Sequence, residues 1–418
     1  MGIPPMKVAI IGAGLGGAAL ALALHQKSIP CRIYELRSAD AGISPSGVSL
    51  APNGCRILDS LGVLERIRPK CYQQKYYTVK NDKDETTEKF VLASEELYGY
   101  KIHRVYRREL LHAMRAMLEE RNIPVLYDSK FERIVEETAE GVAFQVNGRI
   151  ERATILIGAD GIYSSVRKYL APVDLEYTGL LSIYGHIPAD NVEWPTADFE
   201  KACTIQGKPG AFFMVPEVAD GSDLVVGKQF AYPEQKRGAI DALAADKDQL
   251  CALFCKDYEL WHGTAKSILK QVRAHKEKLL CWPFHKVPKL DNWASATGRV
   301  VILGDAAHAI PPSSGQGINQ ALEDVYTLSL LLHRLTPQMD LKRALDLWHS
   351  SRQARIEAVL KMTKETDIKR LPEAERLQML REGKLKQPGE GRMLGENMAW
   401  LFLPNMNEDV TTWIKTVG

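Results

Sequence analysis

Residues 7–17 read KVAIIGAGLGG, a short run rich in β-branched residues that breaks on glycine. Residues 7–11 suit a buried strand, and the Ala- and Leu-rich run that follows to Gln26 suits a helix. Residues 31–36 (CRIYEL) alternate like a second strand, so strand, glycine turn, helix and strand make a βαβ unit of roughly thirty residues. Gly12, Gly14 and Gly17 fill the G-x-G-x-x-G positions, with Ala13, Leu15 and Gly16 between them. The first glycine permits the tight turn, the second lets backbone approach a pyrophosphate, and the last lets helix and strand pack closely. The helix start offers free N–H groups and a partial positive charge to phosphates. Glu35 ends the second strand where a carboxylate can accept ribose hydroxyls. This arrangement points to dinucleotide binding and leaves NAD(P) and FAD both open.

Two later apolar runs also end in small-residue turns. Residues 154–157 lead into Gly158-Ala159-Asp160-Gly161, then Ser164, Ser165, Val166 and Arg167. Residues 300–303 lead into Gly304-Asp305-Ala306-Ala307-His308, then Pro312, Gly315-Gln316-Gly317-Ile318-Asn319 and Asp324. All three runs are expected as strands of one parallel sheet. The Asp160-Gly161 turn is either a ligand contact or a plain connection. Asp305 falls at the carboxyl end of its strand, where ligands of open α/β sheets bind. It can accept from a ribityl or ribose hydroxyl. Residues 315–319 open a helix whose free N–H groups would face an anion, such as the N1–C2=O edge of a reduced flavin. A metal site or triad fragment on Asp305 and His308 is the alternative, unsupported by any nucleophile elbow or second histidine cluster.

Between about residues 175 and 282 the pattern changes. Residues 180–187, 203–206, 211–215 and 224–230 read as antiparallel strands joined by Pro, Gly and Asp turns. Helices are expected around 236–256 and 265–272. The expected division is an FAD-type nucleotide domain in three parts (1–72, 101–174 and 283–335), a substrate domain in two (73–100 and 175–282), and a helical region over 336–418. Glycines 389, 391 and 395 follow Pro388 and no strand, so they read as a loop.

The chain's 418 residues, 45% hydrophobic, suffice for more than one core. Its 54 basic and 52 acidic residues leave a charge of +2, which gives no basic excess for nucleic acid. The run over 266–278 reads as a solvated helix face. Seven scattered cysteines without a CxxC pair suit a reducing compartment. Cys251 and Cys255 stand one helical turn apart, but no His or Asp nearby completes a metal site. No run of 18 apolar residues suggests a membrane span. The amino-terminal run is punctuated by glycines too early for a signal peptide, and Met6 stands where a myristoylation signal needs Ser or Thr. A cytoplasmic protein, monomeric or homodimeric, is expected.

Together these turns resemble the class A flavoprotein monooxygenases, the para-hydroxybenzoate and salicylate hydroxylase family. That family carries GxGxxG near its start, DG with a trailing Arg mid-chain, and GDAAHxxxPxxGQGxN beyond the substrate lobe. Ser46-Gly47-Val48, Ala51-Pro52-Asn53-Gly54 and Arg107-Arg108-Glu109-Leu110 fit shorter family patterns. The resemblance implies a Rossmann-like α/β FAD domain, an inserted, mostly antiparallel substrate sheet and a helical carboxyl-terminal region. It implies non-covalent FAD, NADPH or NADH as co-substrate, and O2. The ADP half would lie on Gly12, Ala13, Gly14, Leu15, Gly17, Glu35 and Leu36. Arg37 and Arg107 would bracket the pyrophosphate and ribityl region, and Gly47 and Val48 would approach the flavin. Gly304 and Asp305 would take the ribityl chain, and Gly315, Gln316, Gly317, Ile318 and Asn319 would line the isoalloxazine. Asp160 belongs to the motif tied to both nucleotides. The implied reaction hydroxylates a phenolic or polycyclic small molecule through a flavin C4a-hydroperoxide. Epoxidase, Baeyer–Villiger, halogenase and reductase relatives share the scaffold.

The substrate side is less marked. Where aromatic-acid hydroxylases of the family carry an Arg and a Tyr, this chain carries Tyr184 and Val215, so no carboxylate clamp is evident. Tyr184 is a candidate to orient or deprotonate a phenol and His186 a candidate base. Phe212, Phe213, Phe230 and Pro312 are candidates for a flat apolar pocket.

Overall fold

The computed structural model describes residues 6–43, 45–368, 370–383 and 398–418. The glycine cluster at 389–395 lies outside them. Strand β1 (Val8–Ile11) is wholly buried and feeds helix α1 (Leu15–Gln26) through the first glycine turn. A five-stranded parallel sheet forms around β1, in the order Val300–Ile302, Ile155–Gly158, β1, Cys31–Tyr34, Val125–Leu126. The three apolar runs that end in turns are therefore neighbours, as the sequence led one to expect. Strand order reverses beside β1, and the first and second turns leave the sheet there, where open α/β sheets leave a crevice for ligands.

A seven-stranded sheet stands apart from this one. It contains Leu280–Lys286, Glu176–Pro188, Asp223–Ala231, Gly210–Pro216, Cys203–Gly207, Tyr76–Asn81 and Thr86–Val91, in that order. All its pairings are antiparallel except that of Cys203–Gly207 with Tyr76–Asn81. A period of two sends successive residues to opposite faces. Ile183, Phe212, Met214, Leu224 and Val226 enter a second core with Trp261 and Ile268. Ser182, Tyr184, Phe213, Val215, Val225 and Gln229 face the other way.

A small sheet of Gly47–Leu50, Ile102–Tyr106 and Tyr72–Gln74 sits between the two larger ones in the chain path. The sequence reading missed a three-stranded antiparallel sheet, Phe131–Glu137, Val142–Val146 and Arg149–Ala153. Its second hairpin turns on Asn147-Gly148, both at positive φ (47° and 75°), and an Asn-Gly pair between alternating residues is the signal that marks it. The carboxyl-terminal region is helical as expected: α2 (Gly317–Arg334), α3 (Leu341–Ile368), and shorter helices at Glu373–Arg381, Ala399–Phe402 and Met406–Val417. All seven cysteines are free. No helix among the described residues is long and apolar enough to cross a membrane.

Candidate active site

The first turn is shaped by two close approaches. A Cβ on Gly12 would lie 2.6 Å from the Ala159 carbonyl oxygen, and one on Gly17 would lie 2.0 Å from the Gly12 carbonyl oxygen. Gly12 also has φ +103°, open to glycine and strained for other residues. At Gly14 a Cβ would meet nothing within 4 Å. So Gly12 and Gly17 are needed for packing, and Gly14 borders open space at the start of α1. That helix has no side-chain cap and no acid in its first turn, leaving its N–H groups for an anion. Glu35 accepts from the backbone N–H of Ala13 at 2.6 Å and of Arg37 at 2.9 Å. Each carboxylate oxygen keeps a second lone pair for a sugar hydroxyl. Leu36 and Arg37 are exposed, Arg107 is half-buried, and its Nε is buried without a hydrogen-bond partner among the described residues. A guanidinium with a buried donor unmet, and separately an open helix start, are features that suit the phosphates and sugar of a dinucleotide.

At the second turn the Asp160 carboxylate accepts from Ser164 Oγ (2.5 Å), Ser165 N–H (2.7 Å) and Val166 N–H (3.2 Å). Ser164 is the N-cap of the short helix Ser165–Leu170, its Oγ accepting from the Arg167 N–H at 2.8 Å while Asp160 takes the first two N–H groups. Burial pushes the Asp160 carboxyl above the ordinary value despite those bonds. The motif's trailing Arg167 is buried and donates to the carbonyls of Ala306 (2.9 Å) and Ile162 (2.6 Å). It fastens the second turn to the third.

The third turn rests on buried charge. Asp324 accepts from the Gly304 N–H at 2.9 Å, pairs with His308 Nε2 at 2.5 Å and meets Arg352 Nε at 2.7 Å. Its neighbour Glu323 holds Arg352 Nη1 at 2.5 Å, Asn53 Nδ2 at 2.7 Å and Arg355. Glu323 and Asp324 are fully buried. Burial alone would raise their carboxyls, but Arg352 with Arg355, and His308 with Arg352, hold them below the ordinary range. His308 Nε2 is thus held by Asp324. No metal-type cluster occurs among the described residues. Asp305 is exposed at the start of the short helix Asp305–His308. The N-terminus of α2 is uncapped by any side chain, and a Cβ on Gly317 would meet nothing within 4 Å.

Asn319 is placed differently from its expected role. Its side chain accepts from the Ala51 N–H at 3.0 Å and donates to the carbonyls of Ser49 (3.0 Å) and Gly315 (2.9 Å). It clips the small sheet to the third turn. Ile318 packs against the first core. Gly315 and Gln316 of this segment line a cavity.

A cavity of about 290 Å³ opens between the small sheet, the seven-stranded sheet, the turn Pro312–Gln316 and the carboxyl-terminal helices. Gly47, Tyr184, Phe213, Pro312, Gly315 and Gln316 from the sequence reading meet there, with Arg104, Gln229 and Arg370, which that reading missed. Val48 is buried beside Gly47. Phe212 and Phe230 do not line the cavity. Phe212 is next to Phe213 in its strand and so faces the second core, against Trp261 at 5.2 Å. Phe230 follows the cavity-facing Gln229 and packs against the same core. A Cβ on Gly227 would lie 2.2 Å from the Phe213 ring, so this glycine makes room for it. His186 is also outside the wall: it is buried 3.6 Å from Glu217, which grips Arg104 at 2.6 and 3.0 Å beneath Gly47. Burial would raise the Glu217 carboxyl, but Arg104 and His186 bring it below the ordinary value.

A family model described as FAD binding domain matches residues 5–363. The 3-amino-4-hydroxybenzoate 2-monooxygenase PtnB3 of Streptomyces platensis is 27% identical, with 95% of each chain covered. Hispidin-3-hydroxylase of Neonothopanus nambi is 28% identical over 85% of this chain and 86% of its own. Among solved structures, HpxO of Klebsiella pneumoniae, complexed with FAD and uric acid, superposes with a TM-score of 0.77 at 23% identity, covering 98% of this chain and 97% of that one.

Proposed function

Given that the chain belongs to the FAD-binding-domain family of flavoprotein monooxygenases, with FAD as its cofactor, we propose that it hydroxylates a small aromatic molecule with electrons from NADH or NADPH. Gly12, Gly14, Gly17 and Glu35 would hold the ADP half, Arg37 and Arg107 the phosphates, and Asp305 the ribityl chain. The backbone of Gly47 and of residues 315–317 would border the ring. FAD, when bound, supplies hydride acceptance and activation of O2. The protein's part is to position, to dry and to move a proton.

The observation that carries this reading is the cavity, which opens onto the third turn, where the flavin-contacting segment of the family falls. Its apolar walls, including Leu92, Val215, Trp282, Phe284 and Leu401, exclude water from a flat substrate. Phe213 offers a ring face, and Tyr184 would orient a phenol and take its proton. His186, buried against Glu217, would serve only through the Arg104 network. The relative named for 3-amino-4-hydroxybenzoate supports a hydroxylated ring as the substrate.

The test is oxygen transfer. Purified protein should carry FAD, and 3-amino-4-hydroxybenzoate or a related phenol should accelerate NAD(P)H consumption. Isotope-labelled O2 should leave one labelled atom in the product. A protein that holds FAD but yields only unlabelled product contradicts the proposal.

A further inference from the structure

We propose that Arg370 anchors an anionic oxygen of the aromatic substrate, a ring carboxylate or a phenolate. This rests on reading the cavity as the substrate site. Among the described residues no Asp, Glu, Lys or His lines that cavity, and the two charged residues that do are Arg104 and Arg370. Arg104 is answered within the wall by the fully buried Glu217. Arg370 is not: among the described residues its polar partners are neutral. Its Nη1 donates to Gln229 Oε1 at 2.8 Å and its Nη2 reaches the Ser313 carbonyl at 3.5 Å. The guanidinium lies over the Phe213 ring, 5.5 Å from its centroid. Its Nε is buried, and among the described residues it has no hydrogen-bond partner and Arg370 forms no ion pair with a carboxylate. The nearby Asp367 is engaged by Gln229 Nε2 at 2.8 Å. That bond turns the Gln229 oxygen toward Arg370 and fixes the fork.

A guanidinium held on an aromatic face, with a buried donor unmet and no carboxylate in direct contact among the described residues, gains from an arriving anion. Its planar fork matches a carboxylate with two parallel bonds, or a phenolate with one. Where the sequence shows no carboxylate clamp on the substrate sheet, this cation enters from the carboxyl-terminal region, after α3.

The test is calorimetric titration of FAD-loaded protein with 3-amino-4-hydroxybenzoate and with its carboxamide, for the wild type and Arg370→Met. If the anchor holds a carboxylate, the acid binds about 10–100-fold tighter than the amide, and the variant loses that preference. If it holds a phenolate, acid and amide bind alike to the wild type, both tighten as pH rises through the phenol's pKa, and the variant loses that rise. Equal affinities of variant and wild type for the acid at every pH overturn the proposal. FAD content and phenol-stimulated NAD(P)H oxidation are read on the same wild-type sample. If both are intact and Arg370→Met changes nothing, the anchor alone fails; if both are absent, the reading of the site fails.

Discussion

A methyl group on Gly17 would collide with the Gly12 carbonyl oxygen, whereas one on Gly14 would enter open space. The two substitutions should therefore separate packing from cofactor binding. Gly17→Ala should lower the melting temperature of the cofactor-free protein and abolish FAD retention. Gly14→Ala should leave that melting temperature near wild type and weaken FAD binding at least tenfold in a fluorescence titration. Equal melting behaviour of the two variants would contradict the assignment. At the third turn, Arg352→Met would leave the buried Glu323 with Arg355 alone and the buried Asp324 with His308 alone. Removing one partner of a buried pair costs about 3–5 kcal/mol, which should appear as a lowered midpoint in urea unfolding with the slope unchanged. The sequence shows part of this arrangement. Two acids between Leu322 and Val325 of an apolar helix demand cations, but only the fold brings Arg352 and Arg355 to them. Phe212 and Phe213 teach the converse: alternation along a strand already says that one of the two must leave the cavity.

Between elements, Arg167 is the fastening that matters most, because it joins the second glycine turn to the third through the Ala306 carbonyl. Arg167→Ala should destabilise the protein by about 2 kcal/mol, the scale of a lost charge-assisted hydrogen bond, and should speed FAD release in a dilution assay. Unchanged FAD release would mean that the third turn holds its shape alone. The βαβ start, the parallel sheet and the antiparallel strands of the second sheet were legible because period and glycine punctuation are local signals. The Asn147-Gly148 hairpin carried an equally local signal and was passed over. Arg104, Glu217, Gln229 and Arg370 had no such signal: each acquires meaning from a partner far away in the chain, as Arg370 does from Gln229. Asn319 likewise sits within a motif read as flavin-lining, and its side chain is occupied by chain-to-chain bonds that only the fold reveals.

Across the whole molecule, acid should act through the third turn. Glu323 and Asp324 titrate below their ordinary values of 4.5 and 3.8 in the folded state. Their stabilisation is present above those values and is lost as pH falls below them and through the folded ones. Asp160, held above 3.8 by burial, runs the opposite way and offsets part of it. Unfolding free energy should therefore drop on acidification in the wild type and drop less in Arg352→Met; parallel pH profiles would contradict the network's role. The central claim is that a dinucleotide groove on the parallel sheet and a substrate cavity beside it serve one flavin. The most direct measurement is anaerobic rapid mixing of FAD-loaded protein with NADPH or NADH, with and without 3-amino-4-hydroxybenzoate, following the flavin absorbance. The account predicts that the flavin bleaches and that the aromatic changes the rate; a flavin reduced at the same rate whatever occupies the cavity, or never reduced, would contradict it.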